Sequence, residues 1–286
     1  MNTDDSVDTV DTVDTASLIA TNLADVRRRV RNAGGGREVE IVAVSKGQPV
    51  SMVRAAAQAG LTLFGENYAD ELVEKATDPV LQDLEIRWTF QGRLQTNKIN
   101  RLSPHVSLWQ SVDSIDRARG LAKRAAGATV LIQINLTGQP QRGGASPDAV
   151  GDVLDAARDA GLNVIGVMGV GPDLDAAGVL PQDCARAFGD AIAIADEHDL
   201  AVRSLGMSND FELAVNSGAN MIRIGSLLFG PRTTHGPLDI HGALDIHGAR
   251  TTRGARTTHG PLDVGANGRI PTPDTQEDPD STGNSD

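Results

Sequence analysis

The sequence predicts an α/β fold made of a single (β/α)8 TIM-type barrel, and three observations carry that expectation. Between about residue 17 and residue 231, short Val-, Ile- and Leu-rich runs alternate with helix-length segments. Eight such runs occur, the number a closed barrel needs, within the lower size range of that fold. Aromatic residues are 3% of the chain against 40% hydrophobic, which suits parallel strands buried under helices better than an aromatic-rich sandwich. A doubly wound open sheet would show the same alternation, but no G-x-G-x-x-G follows the first run.

The elements follow in order. Residues 17–32 place Leu18, Ile19, Leu23, Val26 and Val30 on one helical stripe, with Arg27, Arg28 and Arg29 largely elsewhere. Residues 39–44 (Val-Glu-Ile-Val-Ala-Val) read as the first strand. Ser51 can cap the next helix, which Gly60 ends before a second strand at 61–64. Further strands fit 86–90, 106–110 and 129–135. Ser146-Pro147 opens a helix that stops at Gly161, ahead of a strand at 163–168. A strand at 201–205, a helix from about Asp210 to Ser217 stopped by Gly218, and a strand at 220–224 complete the set.

Both ends of the 286-residue chain differ in composition from this barrel. Residues 1–16, with Val-Asp-Thr three times in succession, read as a disordered acidic lead-in. Residues 232–286 read as a disordered, repetitive tail: Arg-Thr-Thr-His-Gly-Pro-Leu-Asp occurs at 232–239 and again at 256–263. His235, His241, His247 and His259 lie in this tail. Repeat expansion copies a residue without regard to ligand geometry, so no metal site is expected there.

The net charge of -12 argues against a non-specific grip on nucleic acid or an anionic membrane. Cys184, the single cysteine, excludes an intrachain disulfide framework and any multi-cysteine metal site. No apolar run is long enough to span a bilayer, and the N-terminus lacks the regions of a signal peptide. The expectation is a soluble cytoplasmic protein.

In such a barrel, function sits where strands end and loops begin. The first strand delivers Lys46 to that face, where a partly desolvated amine can condense with an aldehyde. Taken alone, Val-Ser-Lys equally describes a solvated lysine just past a strand. The last strand ends in Arg223-Ile-Gly225-Ser226, in which Gly225 allows close approach of an anion. Ser208 follows the seventh strand just before a helix, and reads either as an ordinary cap or as a phosphate ligand. A lysine facing a phosphate cradle across a barrel describes a pocket for pyridoxal 5'-phosphate (PLP). Glu66 could orient neighbours at the mouth or pair with a cation. Trp88 and Trp109 read as packing, Cys184 as a small buried residue, and Arg93 and Lys98 as solvent-facing. His105 and His198 have no informative partner.

Six segments together resemble the pyridoxal phosphate homeostasis protein family, whose fold is similar to the barrel domain of alanine racemase. They are Val42-Ala-Val-Ser-Lys46, Phe64-Gly-Glu-Asn-Tyr68, Gly92-Arg-Leu-Gln-Thr-Asn-Lys98, Gly166-Val-Met168, Gly206-Met-Ser-Asn-Asp-Phe211 and Arg223-Ile-Gly-Ser-Leu-Leu-Phe-Gly230. The resemblance spans nearly the whole barrel. It implies that Lys46 forms a Schiff base with PLP, and that Ser208, Gly225 and Ser226 hold the phosphate. Arg223 would face the pyridine nitrogen and disfavour its protonation, and Asn67 would border the cofactor. Two positions depart from the family: Thr89 stands where a histidine is usual, and Arg142 where a lysine is usual. An arginine cannot form a Schiff base.

The resemblance further implies a role in vitamin B6 homeostasis without robust catalysis. Racemisation needs a proton-transfer group on each face of the α-carbon. In alanine racemases the second, a tyrosine, comes from an additional domain, whereas the one tyrosine here, Tyr68, lies in the barrel. No catalytic residue is therefore assigned. A low-activity PLP-dependent amino acid racemase is the alternative, and a barrel for another phosphorylated metabolite is a third reading. Expected partners are PLP itself and PLP-requiring apoenzymes, with the protein working as a monomer.

Overall fold

In the computed structural model, which describes residues 7–230, strands and helices alternate along the chain. They run α1 (Val7–Gly34), β1 (Glu40–Val44), α2 (Val50–Gln58), β2 (Leu63–Glu66), α3 (Ala69–Thr77), β3 (Arg87–Phe90), α4 (Ile99–Leu102), β4 (Val106–Val112) and α5 (Ile115–Ala122). There follow β5 (Thr129–Ile134), α6 (Val150–Asp159), β6 (Asn163–Gly169), α7 (Pro181–Glu197), β7 (Val202–Leu205), α8 (Phe211–Ser217), β8 (Met221–Ile224) and α9 (Ser226–Phe229). Each strand pairs in parallel with the next, and β8 pairs with β1 through four residue pairs, closing the barrel.

Alternation along the strands produces two apolar layers. Ala43, Phe64, Trp88, Phe90, Trp109, Val130 and Ile132 point outward into the main core beneath the helices. Val42, Leu63, Leu108, Leu131, Val202 and Met221 fill the barrel interior with Ile165 and Met168. Each fully buried leucine contributes about 1.5–3 kcal/mol of transfer free energy. Phe64 meets Trp88 at 5.8 Å and Phe90 meets Trp109 at 6.0 Å between ring centroids, so both tryptophans serve packing.

The helix boundaries show three departures from the sequence expectation. α1 starts at Val7 instead of residue 17, so much of the expected lead-in is helical. A helix anchored by Ile19, Leu23, Val26 and Val30 extends backwards at one hydrogen bond per residue. Leu18 is 56% exposed and lies off the stripe, because it stands one residue from Ile19 and about 100° around the helix. Ser51 does not cap α2, whose N-cap is Pro49; the proline's extended backbone stops the helix there without a side-chain acceptor. The expected disordered tail and its histidines lie outside the described residues, as do residues 1–6.

α1 packs on the outside of the barrel against α2, α8 and α9. Arg29 donates from Nε and Nη2 to the two carboxylate oxygens of Glu212, at 3.0 and 2.8 Å, and stacks over Phe211 at 4.7 Å. Asn22 donates from Nδ2 to the carbonyl of Leu228 at 3.0 Å, tying α1 to α9. No helix among the described residues is long and apolar enough to cross a membrane.

Candidate functional site

Two residues further along the strands, the inward face changes from apolar to polar. Leu108 is followed on that face by Gln110, Leu131 by Gln133, Val202 by Ser204, and Met221 by Arg223. Of these, Gln133 and Arg223 line a cavity of about 680 Å³ at the C-terminal end of the strands, within the usual range for small-molecule sites, and Gln110 and Ser204 are buried beneath it. Lys46, Asn67, Ser208, Arg223, Gly225 and Ser226 all line it, so one space gathers every cofactor-binding residue expected from the sequence.

Arg223 is 4% exposed. Its Nη1 donates to the carbonyl of Ser204 at 2.5 Å and to Ser204 Oγ at 3.0 Å, and its Nη2 donates to the carbonyl of Gly169 at 2.8 Å. Burial lowers its pKa to about 10, partly countered by Asp210, which leaves it cationic at neutral pH. Ser204 Oγ donates to Gln110 Oε1 at 2.7 Å, and Gln110 Nε2 donates to Thr89 Oγ1 at 3.2 Å. Gln91 Nε2, at the cavity wall, also donates to Thr89 Oγ1, at 3.3 Å. A guanidinium can only donate, which orients Ser204 and then the Gln110 amide. Thr89, the first departure from the family pattern, is thus the buried acceptor at the far end of this chain, below the cavity and not on its wall.

Glycines shape the approach to these groups. Gly206 has φ +90°, and a Cβ there would stand 2.8 Å from the Cα of Phe211. The missing side chain lets α8 begin against the end of β7 and brings Ser208 to the rim. Beside Ser208, Met207 N donates to Asp210 Oδ1 at 2.5 Å, and burial pushes the Asp210 carboxyl up from its usual range. Arg142, the second departure, stands on the cavity wall 3.9 Å from Asp173.

Glu66, whose task the sequence left open, is fully buried and bonded to Lys75 Nζ at 2.7 Å and to Ser45 Oγ at 2.8 Å. Burial drives its pKa to about 7 against the pull of Lys75. Lys98 pairs with Asp70 at 2.9 Å while Arg93 is exposed. Cys184 is buried, donating to the carbonyl of Pro172 at 3.3 Å, and its thiol is pushed upward by that burial. His105, His198 and Tyr68 do not line the cavity. Among the described residues, no three His, Cys, Asp or Glu side chains group as metal ligands.

The sequence reading assigned nothing to Gln48, which is 5% exposed and lines the cavity with its Oε1 lacking a hydrogen-bond partner. Asn67 Oδ1 is likewise buried and unpartnered. Unpaired acceptors of this kind normally meet a partner, here one that a ligand can supply. The signal for Gln48 was its place two residues after Lys46 in the same loop.

Residues 15–233 match the family model described as alanine racemase, N-terminal domain. The pyridoxal phosphate homeostasis protein of Pseudomonas aeruginosa is 35% identical over 234 residues, covering 76% of this chain and 96% of the relative. That of Aquifex aeolicus is 33% identical over 222 residues, covering 73% and 95%. The structure of PipY from Synechococcus elongatus with PLP bound is 30% identical, with a TM-score of 0.64 over 74% of this chain and 100% of that one.

Proposed function

We propose, for a chain that belongs to the pyridoxal phosphate homeostasis protein family, that the barrel cavity binds PLP and that Lys46 holds it covalently. In this reading the protein is a monomeric cytoplasmic carrier or regulator of the cofactor without robust catalysis. The observation that carries it is the convergence of an amine (Lys46), a buried cation (Arg223) and a hydroxyl-and-glycine cradle (Ser208, Gly225, Ser226) on one cavity. PipY, a solved relative at 30% identity, has PLP bound.

The residues present fit that group. A Cβ placed on Gly225 would meet nothing closer than Val44 O at 3.4 Å, an ordinary contact, so packing against neighbouring elements does not call for glycine there. An anion seated against the main chain would demand it. The unpartnered oxygens of Gln48 and Asn67 offer two acceptors to a ligand.

When bound, PLP supplies an aldehyde that reacts with amines. Lys46, whose amine reaches the cavity, would be the residue that holds the group through that aldehyde. Ser208 and Ser226, with Gly225 between the strand and its helix, would hold the phosphate. Arg223, cationic and held by Ser204 and Gly169, would oppose protonation of a ring nitrogen placed beside it. Racemisation would require a second proton-transfer group opposite Lys46; neither Tyr68 nor a described histidine lines the cavity, which leaves the carboxyls of Asp173 and Asp210 as the other titratable acids on its wall. The recipients of released cofactor are PLP-requiring apoenzymes.

The test is spectroscopic. Mixing the protein with PLP should raise an absorbance band near the visible that borohydride removes, leaving a reduced adduct on Lys46 detectable by mass spectrometry. Lys46→Ala should abolish both. A protein that stays colourless, or an adduct at another lysine, overturns the assignment. Appreciable D-isomer from L-alanine or L-serine would instead make it a racemase.

A further inference from the structure

We propose that Lys75 and Glu71 of α3 are positioning residues for Lys46, bracketing the turn that carries it. The inference rests on the reading of Lys46 as the PLP-holding amine.

The geometry is direct. Lys75 Nζ donates to the carbonyl of Ser45 at 2.7 Å, one residue before Lys46. Glu71 Oε1 accepts from the amide of Gly47 at 2.6 Å, one residue after it. The two brackets are joined, because Lys75 Nζ also donates to Glu71 Oε1 at 2.7 Å, one helical turn away on α3. A third bond, to Glu66 Oε1 at 2.7 Å, engages the remaining donor of the ammonium. Ser45 Oγ reaches the same Glu66 oxygen at 2.8 Å. The turn is closed by Gln48 N donating to Ser45 O at 3.0 Å, with Gly47 at φ +68°.

The placement is more than a device for stability. Lys75 is 4% exposed and Glu66 fully buried, and burying ion pairs is often no more stabilising than burying apolar side chains of the same size. Glu66 Oε2 is moreover buried without a hydrogen-bond partner, an unfavourable arrangement the fold retains. What the cluster does achieve is to fix both peptide groups flanking Lys46 from a single rigid helix. A nucleophile misplaced by about 1 Å can lose on the order of 100-fold in rate, so such bracketing bears directly on covalent capture.

The experiment compares Glu71→Ala, Glu71→Gln and Lys75→Met with the full-length wild-type chain. It measures the rate at which the PLP band forms, the melting temperature, and hydrogen exchange at the Gly47 amide without PLP. Glu71→Ala is expected to stay folded, slow capture about ten-fold and speed Gly47 exchange. Glu71→Gln, whose amide oxygen can still accept from Gly47, should restore both. Lys75→Met should slow capture as well. Should it fail to fold, the two Glu71 variants decide. Capture and exchange at wild-type values in Glu71→Ala would overturn the proposal, as would a Glu71→Gln as slow as Glu71→Ala. If the wild type captures no PLP, the functional reading falls, and Gly47 exchange alone decides whether the bracket exists.

Discussion

Gly92 lies so close beneath Asn67 that a Cβ on the glycine would stand 1.8 Å from the Asn67 carbonyl oxygen and 2.7 Å from its carbonyl carbon. Both are main-chain atoms, so a side chain could be accepted only by moving the loop that presents Asn67 to the cavity. Gly92→Ala should therefore destabilise the fold by about 1–3 kcal/mol and speed PLP release in the same variant. Urea unfolding and stopped-flow release check the two effects, and a variant with normal stability and normal release would contradict the expectation.

Gly225 predicts the opposite pattern. An alanine there fits against Val44, so the melting temperature should hardly move. If Gly225 seats the phosphate as proposed, affinity for PLP should nevertheless fall at least about ten-fold, or ~1.4 kcal/mol, because the new methyl would occupy that space. Equilibrium titration of the absorbance band beside a thermal melt separates the two.

The buried chain from Arg223 through Ser204 and Gln110 to Thr89 should behave as one unit. Gln110→Leu and Ser204→Ala each strand a buried polar group, at a cost of about 1–3 kcal/mol. Their double variant should lose less than the sum, since both cut the same link. A double-mutant cycle in urea gives the coupling directly, and strict additivity would show that the chain is not cooperative.

Glu66 sets a pH dependence of stability. Its folded pKa of about 7 lies above its ordinary value of 4.5, chiefly through burial. Between those values the folded state holds more proton than the unfolded state, so this contribution is complete below the unfolded pKa and is lost as pH rises through the folded one. Asp210, also raised by burial, acts in the same direction. Glu66→Gln, which keeps an oxygen for Ser45 and Lys75, should show a flatter fall in urea midpoint than wild type across that window. Superimposable pH profiles would show that Glu66 does not titrate there.

Much of this architecture was legible in the chain itself. Buried parallel strands are continuous apolar runs ended by glycine or polar residues, and their bounds fell within a few residues of 163–168 and 220–224. The convergence of Lys46, Ser208, Arg223 and Ser226 also followed, because strand ends share one face of a barrel. The true start of α1 was less accessible, since Val-Asp-Thr repeats have weak intrinsic helicity and extend a helix nucleated further on. Lys75 could not be placed from sequence, because its partners at Ser45 and Glu66 are brought to it only by closure of β1 against β2. Gln110 and Ser204 did carry a signal: each is a polar residue two positions after an inward-facing apolar one.

The closure of the barrel has a thermodynamic corollary. Lys46 follows the first strand and Gly225-Ser226 the last, and those strands are hydrogen-bonded neighbours. A molecule gripped by both would be stapled across the seam between the first and last strands, linking segments that the unfolded polypeptide keeps far apart. Cofactor occupancy would then be felt as resistance of the whole cylinder to unzipping, in addition to local rigidity at its mouth.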